Sequence, residues 1–377
     1  MKHIKGLDGI RAYAVLMVVT THMWLFVKLY WDKSPLYTLV DGTIGVQIFF
    51  ILSGLLITHL LYSEHEKHGH INLKYFIFRR ALRIFPVYYL MLTSLLILGL
   101  FLETMTTPKQ LFLSAIYWFN HAHISDYNIT LGHTWSLAVE EHFYILWPPI
   151  LLIMFRRKLT PTNQILLLTI SIVLLHFLQK ALTENISISG NYKVDRWTTS
   201  AAIYLIAGCM GGVLLHTNYW NLIQSKKWLS IVLGVLFIMG FFVEFWYQDN
   251  DYFTKYLRIV GILAGILWII VNQESFITRF LESKPIAYVG RISYGIYLWQ
   301  GFFLATGPGR QNTQQWPLAT EIHFEALFSP GFILLCITAP LSYHLFEVKF
   351  LKLKEKYRQV STKFYHENAE TELSSDE

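Results

Sequence analysis

Charge is what this sequence has least of. Only 15% of its 377 residues are Asp, Glu, Lys or Arg, whereas a soluble globular chain carries about a quarter. Cysteine is scarce as well. Cys209 and Cys336 are the only two, each inside an apolar run. They read as small buried residues, which leaves no disulfide framework and no thiolate metal site. No Walker motif, dinucleotide-binding glycine fingerprint or HExxH occurs, so an ATP-driven pump and a zinc protease are not expected. The stretch "GRISYG" misses the nucleophile-elbow pattern, and no α/β-hydrolase pattern surrounds it.

What is there in abundance is apolar. Hydrophobic residues make up 54% of the chain and aromatics 16%. Ten mostly apolar runs have the length of spanning helices: 8–29, 42–62, 85–103, 134–155, 164–182, 199–216, 229–247, 257–272, 286–306 and 329–348. A spanning segment must satisfy its own backbone hydrogen bonds, so all ten are expected to be helical. A shorter run at 111–120, "LFLSAIYWFN", is expected to be re-entrant or interfacial. The basic start of the chain resembles a secretory signal. No small-x-small cleavage site follows, so a retained first helix is expected. The fold class is thus an all-α polytopic membrane protein with about ten transmembrane helices.

The net charge of +6 does not mark a nucleic-acid partner, because the cations sit at the ends of apolar runs. With the N-terminus placed in the cytoplasm, 21 of 31 cations fall in inside segments. Both termini are therefore expected to be cytoplasmic. Aromatic clusters such as "MWLFVKLYW" and "VEFWYQDNDYF" fit interfacial belts. Residues 1–351 read as one membrane domain. Residues 352–377, ending in the acidic "HENAETELSSDE", read as a disordered cytoplasmic tail. No internal repeat and no attached soluble enzyme domain is visible.

Ionisable groups inside spanning helices are costly, so they are the first places to look for function. Arg11 and His22 are 11 residues apart. On a helix they share a face, separated by roughly 16 Å along the axis. His22 has the chemistry of a general base. The plainer reading is a snorkelling arginine and a histidine bonded to a neighbouring helix. In "YFIFRRALRIFPVYY", Arg80 and Arg83 are three apart and share a helix face. Guanidinium groups bind phosphate bidentately, but anchoring at an anionic lipid surface is the competing explanation. In "HTWSLAVEEHFYILWP", Glu140 and Glu141 lie in an otherwise spanning helix, pointing about 100° apart. A carboxylate there can orient a histidine or pair with an arginine. In "GRISYGIYLWQG", Ser293, Tyr297 and Gln300 form a polar stripe, which interhelical hydrogen bonding also explains. His65, His68 and His70 in "SEHEKHGH" lack a matching ligand set and read as a solvated loop. No metal is expected.

Taken together, these elements resemble the integral-membrane acyltransferase-3 family, which includes bacterial surface-polysaccharide O-acetyltransferases. The resemblance runs from about residue 5 to 355. "LDGIRAYAVLMVVTTH" is similar to that family's R-x10-H signature, with Arg11 and His22 in place. "GVQIFFILSGLLIT" resembles its second helix, "FRRALRIFPVYY" its R-x-x-R element, and "TWSLAVEEHFY" a recurrent segment carrying Glu140. One position departs. The family's S-x-x-x-Y-x-x-H motif ends here in Gln300, which can hydrogen-bond but cannot shuttle a proton at neutral pH.

The resemblance implies a function. Acyl-CoA, most often acetyl-CoA, would bind as co-substrate from the cytoplasm, its phosphates held by Arg80 and Arg83 with Arg11. An acceptor hydroxyl on a surface glycan or glycolipid would enter from the outer side. His22 would act as general base, or carry the acyl group itself, with Glu140 orienting it or balancing its charge. Ser293, Tyr297 and Gln300 are candidates to contact substrate or oxyanion. The location implied is the bacterial cytoplasmic (inner) membrane, multi-pass, in contact with membrane lipid. Some family members carry a fused extracytoplasmic esterase-like domain. None is visible here, so the chain is expected to act alone or with a separate partner. Two other classes suit the pattern: a transporter or flippase of a small molecule or lipid-linked glycan, and a membrane sensor that has lost the chemistry. The paired, Gly/Pro-broken segments of many secondary transporters are missing.

Overall fold

The computed structural model describes residues 4–24, 35–101, 106–127, 130–243, 252–304 and 330–353. In chain order the main helices are α1 (Leu7–Trp24), α2 (Gly42–His68), α3 (Leu73–Phe101), α4 (Pro108–Ala115), α5 (Thr134–Arg156), α6 (Pro161–Glu184) and α7 (Thr198–Leu214). They continue with α8 (Asn218–Ser225), α9 (Lys227–Phe241), α10 (Tyr252–Val271), α11 (Phe276–Leu281), α12 (Lys284–Arg291), α13 (Ser293–Leu304) and α14 (Pro330–Ser342). A π-helical turn, Tyr343–Glu347, continues α14. Among the described residues there is no β-strand, only one isolated bridge between His123 and Tyr192.

The boundaries follow local chemistry. Asp41 caps α2 by accepting from the Thr43 amide at 2.8 Å, and Gly69 ends it in the left-handed conformation at φ 73°. Thr107 and Gln110 close a reciprocal capping box at the start of α4, with Pro108 in the first turn. Thr160 caps α6 in the same way as Thr107 caps α4.

Seven helices among the described residues are long and apolar enough to cross a membrane, or eight when the pair α8 and α9 counts as one broken span. These match eight of the ten expected runs. The two others are also helical over their described residues. α1 is described up to Trp24 and carries Asp8, Arg11 and His22. The expected run 286–306 is broken at Ile292 into α12 and the 12-residue α13. The run expected at 229–247 begins with a 94° bend between α8 and α9. The segment 111–120 does not span. α4 ends at Ala115, and Tyr117 turns the chain at φ 55° before a short 3₁₀ turn, Phe119–His121. Parts of several expectations lie outside the described residues. These are the ends of the runs at 25–29, 102–103, 244–247, 305–306 and 329, most of both aromatic clusters, and the tail from 354.

The bundle is assembled by close helix contact. A Cβ on Gly54 of α2 would strike the Leu205 carbonyl of α7, and one on Gly208 of α7 would strike the Ile51 carbonyl of α2. The two backbones touch, as small residues allow in membrane bundles. The outer surface is apolar. Leu166, Leu167, Ile170, Leu174 and Phe177 of α6 are all exposed, and only 6% of that helix's apolar window is buried. A surface of this kind faces lipid tails, not water. The chain is an all-α polytopic integral membrane protein.

Candidate active site

α1, α2, α3, α5 and α13 enclose a cleft of about 900 Å³, counting its open mouth. Three arginines enter it from two helices: Arg11 from α1, and Arg80 and Arg83 from α3. The three-residue spacing puts Arg80 and Arg83 on one face of α3. Their neighbour Arg79 turns away and holds Glu64 of α2 at 3.2 Å. Arg11 is steadied by Asp8 one turn back, at 2.9 Å. The Arg80 guanidinium lies over the Tyr144 ring at 5.4 Å and near Phe76 at 5.8 Å, flat contacts that leave its edge for a ligand.

Above the arginines, α5 supplies Ser136, Glu140, Glu141 and Tyr144. The Glu140 carboxylate accepts from Ser53 Oγ at 2.8 Å and from the Tyr144 hydroxyl at 3.2 Å. One oxygen is held by α2 and the other by its own helix, so the carboxylate is fixed in place. Both carboxylates of the pair reach the cleft. Two side chains 100° apart can do so because the cleft wraps around that side of α5. On α13, Ser293, Tyr294 and Tyr297 complete the wall. The Tyr294 hydroxyl donates to the Ile84 carbonyl at 3.2 Å, tying α13 to the helix that carries Arg80 and Arg83.

The cleft ends at a polar pair. Tyr297 and Ser136 hydroxyls lie 2.6 Å apart, and Tyr297 also donates to the His133 carbonyl at 3.3 Å. Beyond that pair lies a second group of polar residues. The His133 ring packs against Tyr297, with centroids 5.7 Å apart. It rests on Gly301, where any Cβ would collide with it. His22, at the end of α1, is close enough for its charge to act on His133. Gln300 is fully buried one turn along from Tyr297.

The sequence-derived residues therefore fall into two places. Arg11, Arg80, Arg83, Glu140, Ser293 and Tyr297 share the cleft, whereas His22 and Gln300 do not line it. Sequence reasoning did not single out Ser53, Tyr144 or His133; it named Glu141 beside Glu140, and both carboxylates reach the cleft. Ser53 was visible as a lone hydroxyl in "FFILSGLLIT", and Tyr144 stands four residues after Glu140, on the same helix face. Among the described residues no group of three or more His, Cys, Asp or Glu side chains is placed to hold a metal ion.

Comparisons with known proteins now bear on this geometry. A sequence profile described as "Acyltransferase domain" matches residues 4–346. The peptidoglycan O-acetyltransferase OatA of Listeria monocytogenes is 28% identical over 318 residues, 79% of this chain and 49% of that protein. The putative peptidoglycan O-acetyltransferase YrhL of Bacillus subtilis is 27% identical over 376 residues, 92% of this chain and 54% of that protein. The O-acetyltransferase OatA of Staphylococcus aureus is 28% identical over 320 residues, 79% of this chain and 50% of that protein. The chain thus spans about half the length of the curated relatives it matches. No solved structure matches it.

Proposed function

The chain belongs to the acyltransferase-3 family of membrane acyltransferases, and from that premise we propose that it moves an acetyl group from cytoplasmic acetyl-CoA to a hydroxyl of an extracytoplasmic glycan. The observation that carries this reading is the convergence of Arg11, Arg80 and Arg83 in one cleft with a fixed carboxylate, Glu140. Three guanidiniums in a bundle need a strong anionic partner, and the diphosphate and 3′-phosphate of CoA supply one. Glycans of the peptidoglycan type are the acceptor class, since related proteins bear that name. Residues 1–351 carry the activity in the bacterial cytoplasmic membrane, with both termini and the tail 352–377 in the cytoplasm.

In this reading the CoA phosphates sit at the arginines and the thioester reaches along the cleft toward Tyr297. The acceptor hydroxyl gives its proton to His22 as its oxygen forms a bond to the thioester carbonyl carbon. The carbon–sulfur bond then breaks and CoA leaves, taking the proton from His22 to become the thiol. The rival course, an acetyl-histidine formed on His22 and then attacked by the acceptor, uses the same groups in two steps. Glu140 balances the arginines and holds the cleft in shape.

The test uses purified protein in lipid nanodiscs with radiolabelled acetyl-CoA and soluble peptidoglycan fragments. Free CoA release that requires both the glycan and His22 is expected. Label held covalently by wild-type protein and absent from His22→Ala selects the acetyl-histidine course. Normal transfer by His22→Ala and His22→Gln, at normal protein levels, removes His22 from the chemistry. No binding or turnover of several acyl-CoAs leaves the transporter class in its place.

A further inference from the structure

The cleft accounts for the donor but leaves two buried polar side chains without employment. His133 is 4% exposed and Gln300 is fully buried. Neither ring nitrogen of His133 makes a well-aligned hydrogen bond, although the Thr130 and Leu298 carbonyls lie within reach of the ring. Neither the oxygen nor the nitrogen of the Gln300 amide makes one either. Four buried polar atoms without well-aligned partners, on two side chains, are unusual, because buried polar groups nearly always find partners. The arrangement is also built. The His133 ring lies where only a glycine, Gly301, leaves room for it, and its backbone carbonyl is anchored by Tyr297. His22 is near enough to act on it electrostatically.

We infer that His133 and Gln300 form the acceptor subsite, holding a sugar hydroxyl next to the reacting one while the latter meets His22. This rests on the acetyl-transfer reading and adds to it the residues that grip the glycan. The donor and acceptor inventory fits. A neutral imidazole offers one N–H and one lone pair, and the glutamine amide offers two N–H groups and a carbonyl. A sugar presents hydroxyls that both donate and accept, so each can satisfy a donor on one residue and an acceptor on the other. A phosphate or carboxylate could use the donors but would leave both acceptors unmet. Of the three polar residues on α13, Ser293 opens into the arginine cleft, and Tyr297 is already bonded to Ser136 and His133. Gln300 alone has its full bonding capacity unspent. The same logic explains how glutamine serves at this position: the site asks it to hydrogen-bond, not to carry a proton.

The experiment measures two affinities on the full chain in nanodiscs, one for acetyl-CoA and one for the N-acetylglucosamine–N-acetylmuramic acid disaccharide. The variants are His133→Leu, His133→Gln, Gln300→Leu and Gln300→His, with thermal unfolding as a check on folding. Both leucine variants are expected to weaken disaccharide binding by about tenfold or more. Acetyl-CoA affinity is expected to stay within about twofold, since the arginine cleft is intact. The two polar variants are expected to recover most of the lost affinity, which a purely structural role for the leucine positions would not produce. Disaccharide binding that is indifferent to both positions overturns the inference. So does a wild type that binds acetyl-CoA but no disaccharide, because the site then holds water only. A Gln300→His variant that raises kcat with an unchanged acceptor KM also overturns it, in favour of a proton carrier. Disaccharide binding that depends on both residues in a protein that binds no acetyl-CoA keeps the subsite and removes the acetyl-transfer reading.

Discussion

The hydroxyls of Tyr297 and Ser136, 161 positions apart in the chain, lie 2.6 Å from each other and stand between the arginine cleft and the buried His133. The pair joins α13 to α5 at the wall of the arginine cleft. Tyr297→Phe and Ser136→Ala each remove one partner. Each is expected to lower stability by about 1 kcal/mol, and the double variant by less than the sum. A thermal-unfolding double-mutant cycle reads the coupling, and strict additivity would show that the contact contributes nothing.

The three arginines of α3, at positions 79, 80 and 83, do not act alike. Arg80 and Arg83 enter the cleft, while Arg79 holds Glu64. Arg80→Ala and Arg83→Ala are each expected to weaken CoA binding by about tenfold to a hundredfold, the range of a lost charge-assisted hydrogen bond. Arg79→Ala is expected to leave CoA binding unchanged. Titration of CoA onto nanodisc protein separates the three. Equal losses at all three positions would point to a diffuse surface charge and not a site.

Glu140 makes an opposed pair of predictions. It lines the same cleft as Arg11, Arg80 and Arg83. Glu140→Gln removes a negative charge from a site built for an anion, so CoA affinity is expected to rise by about twofold to fivefold. Turnover is expected to fall, because Ser53 and Tyr144 both donate to the carboxylate and an amide cannot accept from both ends. Weaker CoA binding in this variant would contradict the electrostatic argument.

The Gly54–Gly208 contact allows no side chain. Gly54→Val or Gly208→Val places atoms on the opposing backbone carbonyl and must push α2 and α7 apart. A cost of about 1–3 kcal/mol or more is expected, seen as a lower unfolding temperature or as failure to accumulate. Gly234→Ala, where a Cβ meets nothing closer than 3.5 Å, is the control and should be nearly neutral.

Much of this was legible in the residues, and the limits are informative. Seven long apolar helices announce themselves by composition, because lipid demands it. The paired placement of Arg80 and Arg83 follows from their spacing alone. Ser53 and His133 could not be placed by the same means. Ser53 finds Glu140 from 87 positions away, and His133 reaches Tyr297 from 164. Such meetings depend on how each helix is rotated about its axis, and one sequence does not encode that locally. The break at Ile292 was hidden for a related reason. No proline marks the break within 286–306, and α12 approaches α1 there so closely that a Cβ on Gly290 would strike the Asp8 carbonyl.

The backbone contact between α2 and α7 has a mechanical consequence. Two helices that touch main chain to main chain are expected to move as a single beam. Val46, Phe49, Phe50 and Ser53 ride on that beam and form a stationary jaw. The facing jaw is carried by α3 and α13, pinned to each other by the Tyr294–Ile84 bond. A bulky ligand entering the cleft is therefore expected to be accommodated by α3 and α13 moving together, away from α2 and the helix that holds it. A spin-label pair spanning Ser53 and Tyr294 would lengthen on donor binding, while a pair across α2 and α7 would keep its distance.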